Sequence, residues 1–289
     1  MNNFKIISDT SCDLTNDIIE KYDIGLVPFK ITFDGVNYLK EGVDITIEEF
    51  YDKISVKGVF PKTSLPSIQD YADKFKPYLE EGQDILCICL TSEFSGSYGS
   101  AVNAAEMLLE EYPDRNIKIM DSRAVTFLQG LLVMDIGEYR SQGKNIDEVY
   151  NLVESYKNEN LIYLTLDTLE YLEKGGRIGK ASAFAGGILN IKPIIKFKDG
   201  GITPHSKVRG RKKALNEVVE LSAEFLKGKE NEYRVKVLHN RCENDAKEIE
   251  SYVKAKGIIP LMGIGHIGVT ITAHGGLGMT GIVMLKNKP

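Results

Sequence analysis

The stretch Leu90–Ala101, LTSEFSGSYGSA, sets three serine hydroxyls (Ser92, Ser95, Ser97) beside two glycines (Gly96, Gly99). Ahead of it, DILCICL (Asp84–Leu90) is a short apolar run with the bounds of a buried strand. Behind it, Ala101, Ala104, Ala105, Leu108 and Leu109 recur at helical spacing. A polar loop between strand and helix meets unpaired backbone N–H groups and the positive end of a helix dipole. Such a loop suits a small anionic group. It can also carry a nucleophile, and its plainest use is a helix cap by Ser97 or Ser100. The loop is not GxSxG, but histidines at 205, 239, 266 and 274 leave open a hydrolase or acyl transferase using Ser95 or Ser97.

Other residues with chemical potential are dispersed. In TSLPS (Thr63–Ser67), Ser67 reads as a helix cap and Pro66 keeps Leu65 extended, which leaves the hydroxyls of Thr63 and Ser64 uncommitted. Arg177 follows two glycines in KGGRIGK, and small residues run from Ala181 to Gly187. KVRGRKK (Lys207–Lys213) is strongly basic, which reads either as a solvated face or as a dock for an acidic group. His274 stands in TAHGGLG after the alternating run VTIT. Gly263–Gly268 fits GxGxxG, but VTIT reads as a strand where a dinucleotide site needs a helix, so no nucleotide site is expected there.

The elements that must position these residues alternate. Phe4–Asp9, Asp84–Leu90 and Asn116–Asp121 read as strands, each leading into a polar turn, with helices between. Parallel strands of this kind put their polar turns on one rim, where ligands bind. Thr46 with Glu49, and Ser67 with Asp70, have capping-box spacing. A second unit begins near residue 160, with a hairpin about Asp199–Gly201, two amphipathic helices and a terminal strand. The expected fold is α/β in two domains: 1–159 with a parallel sheet, and a smaller 160–289 with a mixed sheet.

The 289 residues carry 36 Lys plus Arg and 41 Asp plus Glu, a formal net charge of −5. A nucleic-acid-binding face is therefore not expected. Cysteines at 12, 87, 89 and 242 form no CxxC pair and no zinc spacing, so no metal is expected. No apolar run is long enough to span a membrane, and the start lacks signal-peptide character, so a cytoplasmic setting is expected.

Together these stretches resemble the DegV family of bacterial fatty-acid-binding proteins. IISDTSCDL is similar to the family's DSsaDL, PKTSLPS to TSqPs, TSEFSGSYGSA to SGTyqsA, and DSRAVT to DSrsvs. The most specific likenesses are TLEYLEKGGRIGKASAFAGGILNIKPI and SKVRGRKKA, the latter against GKVRGRKKA. The resemblance implies a non-catalytic carrier that encloses one palmitate-like long-chain fatty acid between its domains. It implies carboxylate contacts from Thr63 and Ser95, help from Gly96 and Ser97, and His274 nearby. It also implies an ATP-binding fatty-acid-kinase subunit as partner, with Arg177 and Arg209 on the docking or phosphate-handling surface. The family's HtGPGalG stands here as HGGLGMTG: Gly275 replaces a threonine and Leu277 a proline. His266 is a second histidine with no counterpart in the pattern.

Overall fold

The computed structural model describes residues 4–56, 58–184, 190–260 and 263–289. In chain order the first half comprises β1 (Phe4–Asp9), α1 (Asn16–Lys21), β2 (Ile24–Val27), β3 (Lys30–Thr32), β4 (Leu39–Lys40), α2 (Ile47–Ile54) and β5 (Lys62–Ser64). It continues with α3 (Ile68–Glu80), β6 (Asp84–Cys89), α4 (Ser97–Glu111), β7 (Ile117–Asp121), α5 (Thr126–Ser141) and α6 (Ile146–Tyr156). The second half comprises β8 (Asn160–Thr165), α7 (Glu170–Lys174), β9 (Ile191–Lys198), β10 (Gly201–Arg209), α8 (Arg211–Leu226) and β11 (Tyr233–His239). It ends with α9 (Glu243–Ala255), β12 (Ile264–His266), α10 (Val269–Gly275) and β13 (Thr280–Lys286).

The N-terminal domain is built on a parallel sheet of order β2-β1-β6-β7. A small antiparallel sheet, β4-β3-β5, stands beside it. The apolar stretch Ile24–Phe33 divides at Pro28 into β2 and β3, one in each sheet, because proline supplies no ladder donor. Both expected capping boxes form, at Thr46/Glu49 and Ser67/Asp70. The C-terminal domain is a mixed sheet of order β10-β9-β8-β13-β11-β12. No helix among the described residues is long and apolar enough to cross a membrane.

One apolar cluster joins the domains. It runs from Phe4, Ile6 and Leu86 through the buried helix α5 to Ile195, Phe197, Val283 and Leu285. A buried pair crosses the same seam: Arg234 of β11 donates to both oxygens of Asp135 on α5, each at 2.6 Å. Tyr156 donates to the same carboxylate at 2.7 Å. The paired charge is thus both neutralised and hydrogen-bonded, the condition under which burial is tolerated.

VTIT is where sequence and structure part. The expected strand is helix α10, for all its β-branched residues. Glu41, from the turn after β4, accepts from Val269 N at 2.8 Å, Thr270 N at 3.2 Å and Thr270 Oγ1 at 2.6 Å. Val269 and Ala273 then pack against Ile31, Phe50, Tyr51 and Ile54 of the other domain. A carboxylate on the first N–H groups and a buried face outweigh a weak propensity. GxGxxG does therefore open a helix here, but that helix's first donors are already taken. A Cβ on Gly268 would fall 2.1 Å from Asp13 Oδ1, and one on Gly265 would fall 2.5 Å from Lys236 Cε. Packing alone accounts for those glycines.

The β9–β10 hairpin reaches from the second domain onto the first. Thr91 Oγ1 donates to Gly200 O at 2.9 Å, and the Arg123 guanidinium donates to Asp199 O. Gly200 has φ +83°, and a Cβ there would lie 2.7 Å from Thr91 Oγ1. Gly200→Ala should therefore lower unfolding stability by about 1–3 kcal/mol in a urea titration. Gly201→Ala, with ordinary φ and nothing within 4 Å, should be close to neutral.

Candidate functional site

The expected rim exists, but its hydroxyls diverge. At the carboxyl end of β1, Asp9 accepts from Leu90 N at 2.9 Å and from Ser97 Oγ at 2.9 Å. Ser97 is fully buried and also shares a 2.7 Å hydrogen bond with Tyr71 OH. Ser92 turns the other way and donates to Asp121 Oδ2 at 2.6 Å. Gly96, not a serine, is the N-cap of α4, and no side chain caps that helix. Ser95 alone of the three faces the cavity between the domains, and its Oγ also accepts from Ser97 N at 3.1 Å. The reason is physical: a deeply buried aspartate needs donors, and Ser97, Ser11 and Gln129 supply them. Burial raises the Asp9 pKa, and these hydrogen bonds oppose the rise.

The cavity encloses about 280 Å³. Its N-terminal-domain wall is Phe29, Leu65, Leu90, Phe94 and Val125, and its C-terminal-domain wall includes Leu164, Leu166, Ile195, Phe197 and Ile202. Phe94 and Phe197 meet edge to face across the seam at 6.0 Å. Polar side chains enter this apolar lining at few places: Thr63, Ser64, Ser95, Arg177, Thr270 and His274. This is the composition of a site for a mostly apolar molecule with a small polar group.

Thr63, from β5, and His274, from α10, lie 211 residues apart and meet at 2.8 Å between Oγ1 and Nε2. Arg177 lies in the same wall. Its Nε donates to Phe94 O at 3.1 Å and its Nη1 to Gly175 O at 2.7 Å, so the guanidinium is held by two carbonyls. Burial, and secondarily the Arg177 charge, lower the His274 pKa to about 4. Near neutral pH the ring is therefore uncharged, and its Nδ1 is buried without a hydrogen-bond partner. Gly175 makes room for it, since a Cβ there would sit 2.4 Å from Nδ1.

Of the residues singled out in the sequence, Thr63, Ser95, Arg177 and His274 come together. Gly96 and Ser97 stand beside Ser95 in the chain and outside the lining; a Cβ on Gly96 would fall 3.3 Å from Leu65 Cδ2. Arg209 is exposed at the end of β10, outside the lining. Its neighbour Arg211 is spent on Asp245 and on Gly278 O. His266 belongs to a different cavity and meets the His239 ring at a tilt, with centroids 4.8 Å apart. Ala185, Gly186 and Gly187 of the small-residue run lie outside the described residues. Glu41 and Met279 escaped notice in the sequence. Glu41 sits in an ordinary polar turn, and no local pattern marks a partner 228 residues away.

Fold and site together define a two-domain α/β protein with an apolar cavity between its domains and a cluster of polar side chains in the wall. The chain belongs to the DegV family: the family model described as "Uncharacterised protein, DegV family" matches residues 3–287. It is 34% identical over 289 residues to a DegV domain-containing protein of Clostridium perfringens, covering 99% of this chain and 98% of the relative. Among solved structures it is similar to a stearic acid-binding protein from Eubacterium ventriosum, with TM-score 0.92, 34% identity and 98% of each chain covered. It is also similar to DegV, a fatty acid binding protein from Bacillus subtilis, with TM-score 0.85 and 27% identity over 99% of this chain and 100% of that one.

The His274 imidazole should titrate by NMR with a midpoint at about pH 4. Arg177→Ala should move that midpoint upward, because it removes a charge that opposes protonation. The unfolded chain binds this proton near pH 6.5, so His274 costs stability as pH falls from there towards 4. Asp13 and Glu41, whose pKa values burial raises, act in the opposite sense.

Proposed function

We propose that this protein binds one palmitate-like long-chain fatty acid in the cavity between its domains and is a carrier, not a catalyst. The observation that carries the reading is the apolar cavity with Thr63, Ser95, His274 and Arg177 among its lining residues. The fatty-acid binding named for the Eubacterium ventriosum and Bacillus subtilis relatives supports it. In this reading Thr63 and Ser95 donate to the carboxylate, while Gly96 and Ser97 act by fixing Ser95. His274 is neutral and orients the Thr63 hydroxyl. Each charge-assisted hydrogen bond contributes about 1.5–3 kcal/mol. The tail contributes about 0.8 kcal/mol per buried methylene and so dominates affinity. The head group then decides position and register more than total binding.

The family resemblance extends the proposal to a partner: an ATP-binding fatty-acid-kinase subunit that receives the carboxylate. Arg177, already in the wall beside His274, is suited to an added phosphate, and exposed Arg209 to the docking face. The serine-hydrolase alternative finds no support in the geometry. The Ser97 hydroxyl is committed to Asp9 and Tyr71, and His274 pairs with a threonine. We likewise read residues 1–159 and 160–289 as the two domains that enclose the ligand between them.

Native mass spectrometry of the purified protein should show a fatty acid at one per chain. Thr63→Ala and Ser95→Ala should each weaken binding about 10- to 100-fold with the fold intact. A protein that carries no fatty acid and takes up none when offered would sink the proposal. Labelling of Ser95 by a fluorophosphonate would revive the hydrolase.

A further inference from the structure

Gly275 closes α10 one residue after His274 and lines the cavity. Its backbone is not in the left-handed region, so conformation does not demand glycine here. Space does. A Cβ on Gly275 would fall 2.1 Å from Met279 Sδ, 2.7 Å from its Cε and 3.3 Å from its Cγ. Met279 lines the same cavity and is 4% exposed. Its backbone is fixed: its N–H donates to Asn240 Oδ1 at 2.6 Å, and its carbonyl accepts from Asn240 N at 3.0 Å and the Cys242 thiol at 3.1 Å. Asn240 also donates to Gly276 O at 2.7 Å and to Thr272 Oγ1 at 3.0 Å, tying the end of α10 to the start of β13. What remains free is the thioether arm, an unbranched and polarisable side chain that fills irregular gaps. A side chain at 275 and the arm of Met279 compete for one space, beside the histidine of the polar cluster. Loss of the family threonine at 275 is therefore coupled to the volume of Met279 and not only to a missing hydroxyl.

We propose that Met279, seated on Gly275, limits the girth of the ligand next to its carboxylate and so selects acyl chains unsubstituted at C2 and C3. This rests on the fatty-acid reading above. In this reading the arm, which lines the cavity beside Gly275, narrows the space where the chain departs from the head group. A methyl branch there would meet the sulfur.

The test compares dissociation constants for palmitate and 2-methylpalmitate across five proteins: wild type, Met279→Ala, Met279→Leu, Gly275→Ala and the Gly275→Ala/Met279→Ala double variant. Wild type should favour palmitate by about ten-fold or more, and Met279→Ala should bring that ratio to about three or below. Met279→Leu, which keeps the volume, should hold the wild-type ratio. Gly275→Ala should push the arm into the cavity and weaken palmitate about ten-fold, and the added Met279→Ala should restore it, a coupling that independent sites would not show. An unchanged ratio in Met279→Ala, or a double variant no better than Gly275→Ala, would overturn the assignment. So would a wild type indifferent to the branch. A wild type that binds neither acid brings down the fatty-acid reading and this inference together, and is told apart by its failure with palmitate itself. The ratio is measured within each folded variant, so a general loss of stability does not mimic the result.

Discussion

The site depends on one carboxylate. Glu41, in the N-terminal domain, receives the first N–H groups and the Thr270 hydroxyl of α10, which belongs to the C-terminal domain. Its other oxygen-bound donor is Thr10, at 2.6 Å, from the turn that follows β1. That hydrogen-bond set gives a buried acid what burial takes away, and it makes a seven-residue helix of indifferent propensity stable. Everything α10 presents to the cavity, from Thr270 to His274, is aimed by this contact. The meeting of Thr63 with His274 is thus a product of two sheets and one helix cap, not of either domain alone.

The same logic explains the carboxylate at the end of β1. Asp9 consumes Ser97, Ser11 and the Leu90 N–H, and in doing so fixes the turn that carries Ser95. The loop that looks like an anion cradle already holds a carboxyl group, one of the protein's own. Only the hydroxyl left facing away from Asp9 is available to a guest. A buried acid here acts as a template for a loop, with the polar surplus directed into an otherwise apolar space.

Much of the architecture was legible. The alternation of apolar runs and helical spacing marked the parallel sheet, and Thr46/Glu49 and Ser67/Asp70 marked two helix starts. Thr63, Ser95, Arg177 and His274 could be named because their motifs resemble those of a known family. Their convergence could not be derived, since the contacts span up to 211 residues. VTIT misled because its periodicity is that of a strand, while the deciding partner, Glu41, lies 228 residues upstream of Val269. The three serines misled because spacing shows which hydroxyls are near one another, but not which a buried aspartate will claim.

The docked hairpin tip has a consequence for how such a chain can vary in length. Hairpin turns are ordinarily where insertions, fusions and permuted termini are accepted. Here the turn at Asp199–Gly200 is wedged between Thr91 and Arg123 of the other domain, and its strands form part of the cavity wall. Added residues there would lift Ile195, Phe197 and Ile202 away from the space they enclose. The turns at Gly143 and Gly257, which have nothing within 4 Å of a Cβ, carry no such duty. A reporter domain grafted onto this scaffold belongs at those turns, and the one hairpin that looks most accommodating is a structural seam.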